Sequence, residues 1–318
     1  MTQRIRIYQQ GTPAVLQLET STLENPAQGQ VLIRHEAIGV NFVDTMFRDG
    51  TFKVPLPFSM GVEAAGVVEE VGPEVSHLKV GDRVGYFFAF GAYAERRVID
   101  ASALIKLPDD LSSEQAAGLL SKGLTAWSLV KRAHAVRPGE TVVVQGASGG
   151  VGTLLAHWAK SLGATVIATV GSANKAHIVE GWGFDHVLRT DEPELAERIK
   201  AVNGAVDVVY DLIGRQTLDA SIHALRDGGD LVHAGNASGS VVADTRLLAA
   251  RGIEYVQTST PRYVNAQNQN MAASELFERF REGALGPLAL SRYRLAEAAE
   301  AHHAIAARKH TGSIVLIP

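Results

Sequence analysis

The chain has 318 residues, too long for one typical domain and suited to two of roughly 100–200 residues each. Apolar residues make up 46% and charged residues 20%, a globular composition that argues against extended disorder. A formal charge of −4 with no long run of Lys and Arg offers no field for a nucleic-acid backbone, and the lack of cysteine excludes disulfides, thiolate catalysis and cysteine-ligated metal.

From the amino terminus, MTQRIRIYQQ lacks the apolar core of a signal peptide, and no stretch of about 18 apolar residues follows, so the expectation is a cytoplasmic protein with no membrane partner. Residues 1 to about 122 read as short alternating segments broken by turn residues: Arg4 to Tyr8, Val15 to Glu19, Val31 to His35, Val67 to Val71, Arg83 to Phe87 and Tyr93 to Val98. That spacing predicts a β-barrel or sandwich. From Thr141 the pattern changes to apolar strands alternating with helical stretches, the pattern of a parallel sheet covered on both faces. The strands are 141–146, 165–170, 186–190, 206–213, 230–236 and 254–259, with helices such as VGTLLAHWAKSLG, PELAERIKAV and QTLDASIHAL between them. Six strands make two mononucleotide-binding halves, a doubly wound Rossmann sheet over 123–262. The tail, 263–318, carries the helices ASELFERFREG and LAEAAEAHHAIAARK and the strand SIVLIP, and is assigned to the first lobe.

Gly146-Ala147-Ser148-Gly149-Gly150-Val151-Gly152 lies where the first parallel strand gives way to a helix. Glycines there permit a tight turn and close approach of a pyrophosphate, and the helix start offers unpaired N–H groups. The same residues also spell G-x-S-x-G around Ser148, the pattern of a hydrolase nucleophile elbow, with Asp211 and His302 later in the chain as acid and base. Against the hydrolase stand the lack of an HGGG-type segment and the position of the turn at the first strand of the sheet.

The end of the second strand discriminates the dinucleotide. A carboxylate there would bind the ribose hydroxyls of NAD, but the chain reads Val170-Gly171-Ser172-Ala173-Asn174-Lys175. Lys175 and Ser172 are donors for the 2′-phosphate of NADPH, and Arg189 at the end of the third strand is a planar fork that could join them. The competing structural reading has Ser172 capping the next helix, with Lys175 and Arg189 as solvated charges.

With AIGVNFVDTMFRDG (37–50), GVEAAGVVEEVG (61–72), GDRV (81–84), SKGLTAW (121–127), GASGGVG, GSANK, the strand end Asp211 to Gly214, GN at 235–236 and the closing Arg308 to Pro318, the chain resembles the quinone oxidoreductase (zeta-crystallin-like) branch of the medium-chain dehydrogenase/reductase superfamily. The resemblance implies a GroES-like substrate domain (1–122, completed by 263–318), an NADPH-binding Rossmann domain, a homodimer, and reduction of quinones or related conjugated carbonyls. In the zinc-dependent branch, ligands stand where this chain has Asn41, Val62 and Ser121, none of which supplies a thiolate, imidazole or carboxylate. His302 and His303 are adjacent in a helix and point to different faces, so they are no ligand pair.

Without a metal to stabilise a developing alkoxide, the substrate must be easier to reduce, and quinones, enones and alkenals fit. The expected catalytic residues are Asn41, donating its amide N–H to the carbonyl oxygen, and Asp44, holding that amide or the nicotinamide ribose. Their structural alternative is capping of the helix that begins at Asn41. Phe42, Phe52 and Phe58 are candidates for an apolar wall. Lys122 and Thr125, beside the replaced zinc position, are expected at the nicotinamide half, and the resemblance extends cofactor contacts to Asn41, Phe42, Met46, Ile213, Gly235, Asn236 and Arg308. Thr190 stands where relatives often carry an aromatic residue. An idle NADPH-binding protein is a further alternative.

Overall fold

The computed structural model describes residues 1–308 and 310–318, which divide into two compact units, Met1–Ser121 with Leu288–Pro318, and Lys122–Pro287. The first unit is built mostly of antiparallel strands. Strand Gln30–Val40 is its spine. Along one edge it pairs with Glu63–Val71, and along the other with Arg96–Asp100 over its first half and Ser313–Ile317 over its last residues. Arg83–Tyr86, Ile105–Lys106 and Leu290–Arg294 complete that sheet. A smaller sheet joins Gln17–Ser21, Thr2–Ile7 and Phe58–Ser59. Alternation places Ile5, Ile7, Val31, Ile33, Val68 and Val84 inward, where they form one core with Leu295, Ala298 and Ile305 from the tail.

The second unit holds a six-stranded parallel sheet in the order His186–Arg189, Thr165–Val170, Thr141–Gln145, Val206–Asp211, Leu225–His233, Glu254–Gln257. In chain order this is 3-2-1-4-5-6, the doubly wound arrangement expected from the six apolar runs. Helices Gly150–Ser161, Ala173–Glu180, Leu195–Asn203, Leu218–Ala224 and Thr245–Ala250 connect its strands. Among the described residues, no helix is long and apolar enough to cross a membrane.

Two elements depart from the expectation. Helix Ser113–Ser128 was not anticipated, and the division between the units falls within it, at Ser121 and Lys122. The tail also splits: Leu288–Pro318 joins the first unit, but helix Gln269–Arg281 belongs to the second. There Glu275 accepts from Trp127 Nε1 at 2.7 Å and pairs with Lys131 at 2.7 Å, and a Cβ on Gly123 would meet Leu276 at 2.4 Å. An amphipathic period locates a helix but not the surface that receives its apolar stripe.

Candidate functional site

The first unit carries Asn41 at the end of the spine strand, immediately before helix Phe42–Asp49. Asn41 has extended backbone angles and is the N-cap; its N–H donates to Asp44 Oδ2 at 2.8 Å. The helix-start role weighed for this pair is present as a capping box, the Asn41 side chain facing the Asp44 backbone N–H in return. The amide of Asn41 has a further holder. Nδ2 donates to Glu63 Oε2 at 2.9 Å, and Glu63 Oε1 accepts the Ser121 N–H at 2.6 Å. Glu63 is fully buried, and the sequence reading passed over it. The available signal was a single carboxylate inside the apolar run Val62 to Val68, because a charge on a buried strand requires hydrogen-bonding partners.

Asp44, fully buried, is reached from the tail. Tyr93 Oη donates to Asp44 Oδ2 at 3.1 Å, and His302 Nε2 lies 3.0 Å from the same hydroxyl. Arg48 Nη1 meets His302 Nδ1 at 3.4 Å, and Arg48 Nε donates to Gly11 O. A guanidinium only donates, so Nδ1 accepts, Nε2 carries the proton and donates to Tyr93, and Tyr93 donates to Asp44. The ring in this chain is neutral. Burial holds His302 down to about 3, with the Arg48 charge acting in the same direction. Burial likewise raises the Tyr93 phenol well above its ordinary range, assisted by Asp44.

Helix Phe42–Asp49 also presents Met46 and Phe47. Phe47, Phe52, Phe58 and Phe90 form a cluster with ring centroids 5.1–5.9 Å apart. Of the three phenylalanines weighed for an apolar wall, Phe52 and Phe58 share this cluster with Phe47 and Phe90, and Phe42 is not among its ring contacts. Arg308 follows helix Ala298–Ala306 at positive φ.

In the second unit the candidate residues gather at the carboxyl ends of the parallel strands, where ligands of open α/β sheets bind. Ser148 to Gly152 lead into helix Gly150–Ser161, whose first N–H groups have no intrahelical acceptor by position. A Cβ on Gly152 would lie 2.2 Å from Gly146 O, so this close approach admits only glycine; at Gly149 and Gly171 the space is open. Gly171 and Ser172 follow the second strand. Ser172 caps the helix, accepting the Lys175 N–H at 3.4 Å. Ile213 packs over Gly146, and Gly235 lies against Leu212 O, so the turns after the first, fourth and fifth strands of the unit adjoin, with Asn236 beside Gly214. Thr125 Oγ1 meets Thr260 Oγ1 at 2.6 Å, and Lys122 is buried one turn earlier on the same helix.

Arg189 ends the third strand opposite Val170, beside this group. Its guanidinium is committed to Asp191 by two bonds of 2.9 and 2.8 Å and to Glu192 at 3.2 Å. The hydrolase alternative fails on geometry. Asp211 is fully buried and accepts from Thr217, Ser221 and the N–H groups of Ile213 and Gly214, while His302 is spent within the first unit between Tyr93 and Arg48.

A model of the alcohol dehydrogenase GroES-like domain matches residues 27–109, and one of the zinc-binding dehydrogenase domain matches residues 150–278. The chain is 38% identical to a quinone oxidoreductase of Salmonella typhimurium, all of both chains being covered, and 38% identical to a 2-haloacrylate reductase of Burkholderia over 98% of each. A solved quinone oxidoreductase of Escherichia coli, complexed with NADPH, superposes with a TM-score of 0.95 at 37% identity over the whole of both chains. With its sheets, its glycine-rich turn and its full-length similarity, the chain belongs to the quinone oxidoreductase branch of the medium-chain dehydrogenase/reductase superfamily, a family of oxidoreductases.

Proposed function

We propose that the protein reduces quinones with NADPH and without a metal ion. The observation that carries this reading is the Asn41 amide. It stands at a position of a metal ligand in the zinc-dependent branch and is held by a buried carboxylate. Asn41, Val62 and Ser121 offer no ligand set for zinc, whatever the matched domain model is called.

The cofactor is NADPH, and the second unit fits it. The turn Gly149 to Gly152 and the helix it opens provide N–H groups and a positive dipole end for the pyrophosphate. No acid stands directly after the second strand, and Ser172 and Lys175 are the first charged or hydroxyl donors that follow it in the chain. NADPH supplies the hydride when bound. The chain's own part is to place the acceptor and to stabilise negative charge on its oxygen. Asn41 donates to that oxygen, and Asp44 sets the helix start from which Asn41 projects. The aromatic cluster of Phe47, Phe52, Phe58 and Phe90, its rings tilted or edge-on to one another, provides an apolar surface against which a quinone ring can pack.

A second reading, reduction of a conjugated carbon–carbon double bond, is favoured by the similarity to 2-haloacrylate reductase. A screen of NADPH oxidation against quinones, enones and alkenals separates the two. In the same assay Asn41→Ala is expected to lower kcat by about 10–10³-fold, with the NADPH Kd nearly unchanged, because the donor acts on charge that develops in the transition state. Unchanged turnover with lowered Tm would reduce Asn41 to a helix cap. The reading also includes a cytoplasmic homodimer.

A further inference from the structure

We propose that Glu63 is a positioning residue for the reaction, its carboxylate setting which end of the Asn41 amide faces the substrate. The inference rests on the reading of Asn41 given above and adds to it the device that makes that reading work.

Glu63 lies opposite Gly39 in the register of strands Glu63–Val71 and Gln30–Val40, fully buried. A Cβ at position 39 would fall 2.3 Å from Glu63 Oε2 and 2.3 Å from Ala117 O, so the backbone there is kept bare to make room for the carboxylate. Its two oxygens bind Asn41 Nδ2 and the Ser121 N–H. These are two of the three positions at which the zinc-dependent branch has ligands, and the third, Val62, is the neighbour of Glu63. A buried side chain thus makes the cross-link between strand end and helix that a metal would otherwise make.

The cross-link also carries information. The two ends of an asparagine amide have nearly the same shape, so only hydrogen bonding decides which way it turns. An acceptor at Glu63 requires the NH₂ end, because two facing oxygens repel. With Nδ2 so placed, the direction of its second N–H is fixed, and Oδ1 is turned away from Glu63.

Glu63→Gln keeps the shape and reverses the instruction. The Ser121 N–H, fixed in the backbone, retains the Gln oxygen, so the new NH₂ faces Asn41 and turns its amide over. The expected result is a fall in kcat of at least about tenfold, approaching that of Asn41→Ala, with the NADPH Kd changed by less than about twofold. In the double variant Glu63→Gln/Asn41→Ala the losses should not multiply, because both act through one group. Full turnover in Glu63→Gln while Asn41→Ala is slow would overturn the inference, as would losses that multiply. If Asn41→Ala alone retains full turnover, the reading of Asn41 falls and this inference with it, and the single variant identifies that case. Should Glu63→Gln not fold, Glu63→Asp carries the same test. Its shorter stem withdraws the acceptor from both donors, and the same slow, non-multiplying turnover is expected; full turnover per folded molecule overturns the proposal.

Discussion

Tyr93→Phe removes one oxygen from the buried sequence Arg48, His302, Tyr93, Asp44, and the direction of that sequence makes the outcome specific. The His302 Nε2–H loses its acceptor and Asp44 loses a donor, which should cost about 1–3 kcal/mol of stability in urea unfolding. The sequence cannot conduct a proton, since its far end is a guanidinium that keeps its own. The solvent deuterium isotope effect on kcat should therefore be the same in Tyr93→Phe as in the parent, and its disappearance would show that Tyr93 transfers a proton. Lys175 is tested by cofactor preference. Lys175→Ala should weaken NADPH by roughly 1.5–3 kcal/mol and leave NADH nearly unchanged, because only NADPH has the 2′-phosphate. Equal weakening of both would place its effect in folding or general charge.

Gly152 is the point at which an element, not a side chain, decides binding. In Gly152→Ala the new methyl would stand 2.2 Å from Gly146 O and 2.9 Å from Ala147 Cα, both backbone, so turn and helix start must separate. NADPH affinity should drop by about tenfold or more, with roughly 1–3 kcal/mol of lost stability, readable by titration and denaturation on one sample. This turn was legible in the sequence because its glycines answer a local steric demand. The parallel strands were legible too, since burial on both faces leaves continuous apolar runs. Helix Ser113–Ser128 was not: Gly118 and Gly123 lower its helix propensity, and their purpose, close packing against Leu290 and Leu276, lies far along the chain. For the same reason Asn41 and Asp44 were found as residues, but their holders were not. Tyr93 and His302 are 209 positions apart, and no local pattern announces such a pair. At Arg189 the strand end was legible, but not the partner two residues away, Asp191, whose carboxylate competes for the fork.

At the scale of the molecule, the donor set at positions 41, 62 and 121 predicts that metal analysis finds no stoichiometric zinc and that activity survives a strong chelator; loss of turnover on chelation would refute the metal-free reading. Strand Glu254–Gln257 ends the parallel sheet, and an edge of this kind needs covering or pairing. Two copies meeting edge to edge about a two-fold axis would extend it, so sedimentation at micromolar concentration should give twice the chain mass. Acid should destabilise the first unit, where burial holds both His35 and His302 down to about 3. Between an unfolded value near 6.5 and that folded value, the unfolded chain binds protons that the native chain does not, so stability is lost as pH falls through this window. His302→Gln should flatten the decline of Tm from pH 6.5 to 4. The same unit is discontinuous in sequence, and this orders events during synthesis. Residues 122–287 leave the ribosome as a complete sheet while the first 121 still lack Ser313–Ile317, the partner of Val40, and the His302 that meets Tyr93. The end of the spine strand from which Asn41 follows is by then paired with Glu63–Val71 along one edge, and its other edge is closed only when the last residues are made. A nascent chain can acquire its nucleotide-binding half well before it can catalyse anything.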